Sequence, residues 1–208
     1  MKLSNCHNYN DFRKLAKKKL PSPIFHYIDG GSDDESTLNR NTDSFNNYDL
    51  VPNVLAGVSN IDMSTTVLGE KIDFPLFPAA TAMHRLYHHE GERASAKAVE
   101  KVGTIFGLST MSTVSIEEIS TINKGPKLFQ LYIHKDRGLT DNLLERCKKA
   151  GFTSMCLTVD TVVAGNRERD RRTGFTTPPK LTLGSLLSFA IHPGWTINNF
   201  IHEKFKLA

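Results

Sequence analysis

TIFGLSTMSTVSIEEISTINKGPKLFQLYIHKDRGLTDNLLERCKKAGFTSMCLTVD, residues 104–160, decides the fold. It contains three apolar runs, at 104–108, 128–133 and 154–159, and a fourth precedes them at 74–80. Each is too short for a helix and too continuous for a strand with one wet face, so all four read as buried parallel strands. Amphipathic helical segments lie between them: 90–102 with Gly103 after it, 115–122 with Glu117 and Glu118 in its first turn, and 140–150 closed by Gly151. The runs start 30, 24 and 26 residues apart, a rhythm of repeated strand and helix units that marks an α/β fold.

Two architectures share that rhythm, an open doubly wound sheet and a closed eight-stranded barrel. A doubly wound nucleotide binder carries a glycine-rich turn after its first strand. Here Ala80 is followed by Thr81, Ala82, Met83 and His84, and no GxGxxG occurs in the chain. Polar residues instead end each run: Thr81, Ser109 with Thr110, Gln130 with Tyr132, and Thr158 with Asp160. Singly, such residues only cap the next helix. In series they form the ring from which barrel active sites are built. Eight units of about 27 residues need roughly 210, whereas 135 remain from Phe74 onward. The expectation is the first half of a TIM (β/α)8 barrel, incomplete in this chain and preceded by an N-terminal helical segment.

Working outward, 1–66 reads as that helical segment and lead-in. Asn10 caps a helix to Lys19 that Pro21 stops, 24–29 forms a second ending at Gly30 and Gly31, and Asp33 or Asp34 opens a third to about Phe45, with Glu35 in its first turn. Residues 67–73 read as a hairpin about Gly69. Four β/α units fill 67–160, and 161–208 holds a charged loop to Lys180 and two short helical pieces, 183–191 and 195–204.

The composition, 39% hydrophobic and 23% charged, is that of a globular protein and excludes fibrous and disordered classes. No run reaches the roughly 20 apolar residues of a membrane span, and residues 1–20 lack a signal peptide's apolar block, so the chain reads as cytoplasmic. Cys6, Cys147 and Cys156 form no CxxC pair and read as reduced thiols, two of them core fillers. His88 and His89 belong to a helix-leading loop, and no metal site is expected. A net charge of +4 is too small to imply nucleic acid. Glu168 and Asp170 interrupt the basic run of Arg167, Arg169, Arg171 and Arg172, which reads as a solvated loop; Lys17–Lys19 reads as a solvated helix end.

The strings PIFHYIDGG (23–31), FPLFPAATAMHRLYHHEGE (74–92), GLSTMSTVSIEEIS (107–120), FQLYIHKDRG (129–138) and LTVDTVVAGNRERDRR (157–172) closely resemble the FMN-dependent α-hydroxy acid dehydrogenases and oxidases. The segment from Gly165 through HPGW (192–195) is most similar to the bacterial L-lactate dehydrogenase branch. The resemblance implies FMN as cofactor and oxidation of a small 2-hydroxy acid to a 2-oxo acid, most closely L-lactate to pyruvate, with glycolate as the alternative. A quinone, a cytochrome or oxygen would accept the electrons. By the same resemblance, Tyr27 and Arg167 hold the substrate carboxylate, Tyr132 stands near the substrate hydroxyl, and Asp160 orients the catalytic histidine. Thr81 and Ala82 face the flavin, with Ser109, Gln130 and Thr158 along its edge. It further implies a homo-oligomer and allows peripheral attachment to the inner face of the membrane, for which 186–191 supplies an apolar patch.

Departures accompany the match. The family's histidine base, second carboxylate-binding arginine and phosphate-binding loops lie in a later SNHGGRQ-type segment that this chain lacks. Met111 stands where glycolate oxidases carry tryptophan, and Ala80 where many members carry proline. Two readings of different class follow: the N-terminal half of an FMN enzyme, inactive alone and active in its full-length parent, or a non-enzymatic remnant or half-barrel module that pairs with a separate second half.

Overall fold

The computed structural model describes residues 2–176 and 179–208. Its contacts divide the chain into two compact units: a helical unit, Met1–Gly57 with Val163–His202, and a sheet unit, Val58–Val162 with Glu203–Ala208. The residues after 162 thus group with the first 57 across an intervening unit, where the sequence division follows succession along the chain.

The sheet unit opens on an antiparallel hairpin, β1 (Thr65–Val67) against β2 (Glu70–Ile72), with Val67 opposite Glu70. Leu68 and Gly69 make the turn at φ 54° and 81°. Positive φ at both central residues is what a two-residue hairpin turn demands, and this is the hairpin expected about Gly69. Three parallel strands follow in sequential order, β3 (Phe106–Ser109), β4 (Lys127–Leu131) and β5 (Ser154–Leu157). Their register places Ser109 beside Gln130 and Leu131 beside Leu157.

Helices α4 (Glu92–Val102), α5 (Ile116–Ile122) and α6 (Arg137–Lys149) alternate with these strands. Each has a chemical start or stop. The Ser115 hydroxyl accepts from the amide of Glu118, and the Asp136 carboxylate from that of Leu139. Gly103 ends α4 at φ 72°, and a Cβ there would fall 2.3 Å from Asp73 Oδ2, so glycine is required on two counts. Phe106, Leu108, Ile119, Phe129 and Leu131 interlock with Ala96, Val99 and Leu143 from the helices as one apolar core.

Two strand expectations need correction. Residues 74–80 form no strand: Pro75 and Pro78 have no N–H to give a ladder. The segment is tied instead by the Thr104 hydroxyl to the carbonyl of Leu76, at 2.7 Å, and lies close enough to β3 that a Cβ on Gly107 would meet the Ala80 nitrogen at 3.1 Å. Nor is β5 buried. It is an edge of the described sheet, and Met155 and Leu157 stand 51% and 42% exposed. Cys156 is exposed with it and Cys6 is half-buried, so Cys147 alone of the three fills a core; burial there pushes its thiol up to about 12.

The helical unit holds α1 (Tyr9–Lys19), α2 (Ser22–Asp29), α3 (Ser36–Asp43), α7 (Glu168–Thr173), α8 (Leu183–Ala190) and α9 (Pro193–Ile201). Asn8, not Asn10, caps α1, because its Oδ1 reaches the amide of Asp11 at 3.0 Å. Glu35 precedes α3 in the left-handed region at φ 58°, its carboxylate accepting from the amide of Gly31, and α3 closes at Asp43 ahead of a 3-10 turn, Ser44–Asn47. The charged loop expected as irregular contains α7; its part at Thr177 and Pro178 lies outside the described residues. The backbone amide of Ser22 donates to Ser188 Oγ at 2.8 Å, joining α2 to α8. Among the described residues no helix is long and apolar enough to cross a membrane.

Candidate active site

In the sheet unit the polar residues expected at the strand ends meet. The Ser109 hydroxyl donates to Gln130 Oε1 at 3.0 Å, and Gln130 Nε2 donates to Thr158 Oγ1 at 2.6 Å. One hydrogen-bonded chain therefore crosses the carboxyl ends of β3, β4 and the residue after β5. The register dictates this, since Ser109 and Gln130 are paired residues of neighbouring parallel strands. Ser109 and Gln130 are buried at 3% and 8% exposure, which leaves Gln130 a fixed rotamer. Thr110 extends the lattice: its hydroxyl donates to the Gln130 carbonyl at 2.6 Å and accepts from the amide of Tyr132 at 3.1 Å.

An inventory of protons shows what this chain of groups can still offer. Gln130 has two amide protons and spends one on Thr158; Thr158 accepts that bond and keeps its own hydroxyl proton. Two donors stay available at the strand ends, suited to a planar ring edge that bears carbonyl and ring-nitrogen acceptors. Tyr132 is half-buried and Asp160 exposed two residues beyond Thr158. Thr81 is exposed, its hydroxyl turned to the carbonyl of Ala79 at 3.2 Å, and Ala82 is half-buried. The amide of Met83 donates to the carbonyl of Met111 at 3.0 Å, clipping the loop after Thr81 to the loop after β3.

The helical unit brings Tyr27 and Arg167 together. The Arg167 guanidinium carbon stands 5.3 Å from the centre of the Tyr27 ring, a cation–π geometry, and Nη2 donates to the Tyr27 carbonyl. Nε donates to Asp170 Oδ2 at 2.6 Å. Arg167 therefore sits at the head of α7 with part of its fork committed, and not on a free loop. The Tyr27 ring also meets Phe175 edge-on at 5.2 Å.

Two charged groups went unread in the sequence, one buried and one half-buried. Glu92, 1% exposed, accepts from the amide and hydroxyl of Thr113 at 2.9 and 2.6 Å and from the amide of His84 at 3.2 Å. It pins the two rim loops on which Thr81 and Met111 ride. Its only signal was its place in the HHEGE string. Arg169, read as one charge of a solvated run, donates to Asp29 Oδ2 at 2.8 Å and to Glu35.

The chain matches the FMN-dependent dehydrogenase family over residues 16–206. It belongs to that family. Glycolate oxidase from Spinacia oleracea is 43% identical over 176 residues, 85% of this chain and 48% of the relative, and glycolate oxidase 1 from Zea mays matches to the same extent. The chain thus spans about half the length of the curated relatives it matches. Among solved structures, the monotopic membrane protein (S)-mandelate dehydrogenase superposes with a TM-score of 0.90 at 33% identity, over 98% of this chain and 54% of that one. A putative lactate oxidase from Pediococcus acidilactici gives 0.78 at 34% identity, over 90% and 52%. The FMN-dependent dehydrogenase fold is a TIM barrel, and the parallel sheet with its helices is part of one, as the polar residues at successive strand ends implied.

Proposed function

We propose that this chain supplies the first wall of the flavin and acid pocket in an enzyme that oxidises L-lactate to pyruvate. The observation that carries the reading is the Ser109–Gln130–Thr158 chain, with its two unspent donors at the strand ends. When bound, FMN takes up the two electrons that the hydroxy acid releases. This chain's residues do the holding. Gln130 and Thr158 present N–H and O–H to the ring edge. Ser109 fixes the Gln130 amide so that its nitrogen points outward, and Thr81 and Ala82 keep side-chain bulk low beside the ring.

In the helical unit, Tyr27 and the uncommitted part of the Arg167 fork are the carboxylate-binding residues that the family resemblance implies; in the sheet unit, Tyr132 is the residue it implies for the substrate hydroxyl. Asp160 sets the tautomer of the base, an imidazole contributed by the remaining barrel, and stabilises its cationic form. A quinone, a cytochrome or oxygen drains the electrons. Lactate is preferred to glycolate because residues 165–195 resemble the L-lactate branch, and because Met111 is smaller and more pliable than a tryptophan.

The test completes the chain with the C-terminal half of the spinach relative and follows flavin content and turnover. L-Lactate should turn over faster than glycolate. Gln130→Leu should lose flavin, whereas Asp160→Asn should keep it and lower turnover about a hundredfold. Full flavin and full turnover in both variants would end the assignment.

We infer also that the helical unit attaches peripherally to a membrane on the cytoplasmic side. Leu183, Leu187 and Ile191 of α8 and its end, and Ile201 of α9, are 81%, 67%, 73% and 73% exposed. Apolar exposure of this size is unusual on a surface that faces only water, and the (S)-mandelate dehydrogenase it superposes on is a monotopic membrane protein.

A further inference from the structure

A cavity of about 610 Å³ opens in the helical unit between α1 and α2, and its wall includes Arg13, Lys14, Lys17, His26, Asp29 and Arg169. Arg13, Lys14 and Lys17 stand at i, i+1 and i+4, so Arg13 and Lys17 share a helix face and Lys14 borders it.

Four cations thus meet one carboxylate in the wall. Asp29 is shared, taking Arg13 at 2.5 and 2.9 Å and Arg169 at 2.8 Å, while Glu35, behind Arg169, takes its other nitrogen. Even with Glu35 counted, the site keeps an excess of two positive charges. Lys14 and Lys17 form no ion pair with a carboxylate among the described residues. His26 lines the same wall, half-buried, and its Nδ1 is shut off from solvent without a hydrogen-bond partner among the described residues. Burial first, then the fields of Arg169 and Lys17, hold the His26 imidazole below its ordinary value, and its unpaired buried nitrogen costs a lost hydrogen bond.

We propose that this cavity is a binding site for a phosphate monoester dianion, held by Arg13, Lys14 and Lys17 in a wall that Arg169 and His26 complete. Two negative charges match the excess, and a tetrahedral group with three terminal oxygens accepts from several directions at once, as donors arrayed along one helix and its neighbour require. The flavin reading plays no part in this site, whose residues all belong to the helical unit.

Two arms separate a soluble ligand from a lipid headgroup, both at fixed ionic strength. The first titrates the full chain with inorganic phosphate by calorimetry. The second compares sedimentation with phosphatidylcholine vesicles with and without phosphatidic acid, so that attachment through α8 and α9 cancels in the difference. Saturable phosphate binding assigns a soluble phosphate compound. An increment due to phosphatidic acid without phosphate binding assigns a headgroup. In either case Lys14→Gln/Lys17→Gln, exposed positions that leave the fold unchanged by circular dichroism, should weaken binding at least tenfold, and Lys148→Gln/Lys149→Gln in α6 should not. No binding in both arms, or equal weakening by the two variants, overturns the proposal.

Discussion

The two units of this chain are held together by different physics. In the sheet unit, Phe106, Leu108, Ile119 and Phe129 are at most 2% exposed, and the buried polar groups beside them are paired at strand ends. The helical unit buries Leu15, Leu20, Ile24 and Phe25, and then relies on charge: Arg13 and Arg169 converge on Asp29, Arg169 continues to Glu35, and Arg167 reaches Asp170. Apolar packing is indifferent to salt and acid, whereas paired carboxylates are not. The unit with the apolar core carries the proposed flavin contacts, which must not move; the unit held by ions carries the proposed contacts to the acid's carboxylate.

The severest way to break the contrast is Phe129→Ala. The ring is 2% exposed, packs edge-on against Phe152 at 6.2 Å, and sits mid-strand in β4. A loss of about 3–5 kcal/mol is expected, read as a lower urea midpoint by far-ultraviolet circular dichroism, and little changed by added salt. A loss under 1 kcal/mol would mean that the core is not the sheet unit's main support.

Asp29→Asn is the counterpart in the helical unit, leaving two guanidinium groups without their shared carboxylate. About 2 kcal/mol should be lost, less at high salt. Acid should reproduce the effect. Burial alone would raise the Asp29 carboxyl, but the hydrogen bonds from Arg13 and Arg169 outweigh it and hold it low; Glu35 is held low first by the Gly31 amide and then by Arg169. Both folded values lie below the ordinary 3.8 and 4.5, so this stabilisation is complete above that range and is lost as the pH falls through it toward the depressed values. Trp195, the single tryptophan, lies in the helical unit, and its fluorescence should change at a higher pH than that at which the hydrogen-exchange protection of the β3 and β4 amides is lost. Coincident transitions would count against a charge-held unit.

Legibility in the sequence follows the same division. The sheet unit was readable because periodicity reports burial. Runs around Phe106, Phe129 and Met155 became strands, Gly103 ends its helix where expected, and Ser109, Gln130 and Thr158 meet as their places at successive strand ends suggested. The failure at 74–80 has a local cause, since hydrophobicity marked the run but two prolines deny it a ladder. The exposure of β5 has a positional one, because an edge cannot be told from a centre by the strand's own residues. The helical unit was harder. Arg169, Asp29 and Glu35 come from distant stretches, and nothing in a run of alternating charges tells which member turns inward. Tyr27 and Arg167 were found through resemblance, not through pattern.

The smallest effect sharpens the comparison most, since it places an ion pair in the sheet unit. Arg146 on α6 grips Glu117 on α5 with two of its nitrogens, Nε and Nη2, at 2.7 and 2.8 Å, in a geometry as good as that at Asp29. This pair holds the Glu117 carboxyl down at about 2, yet its side chain is 56% exposed where that of Asp29 is 8%. Water and salt screen it, so the interaction energy from a double-mutant cycle of Glu117→Gln and Arg146→Gln should be only about 0.5 kcal/mol. It should be present above the ordinary carboxylate range and vanish as the pH falls toward 2. Equal geometry with unequal burial then isolates the variable that separates the two units. A cycle energy matching the loss at Asp29 would show that pairing geometry, and not burial, sets the value of a charge in this chain.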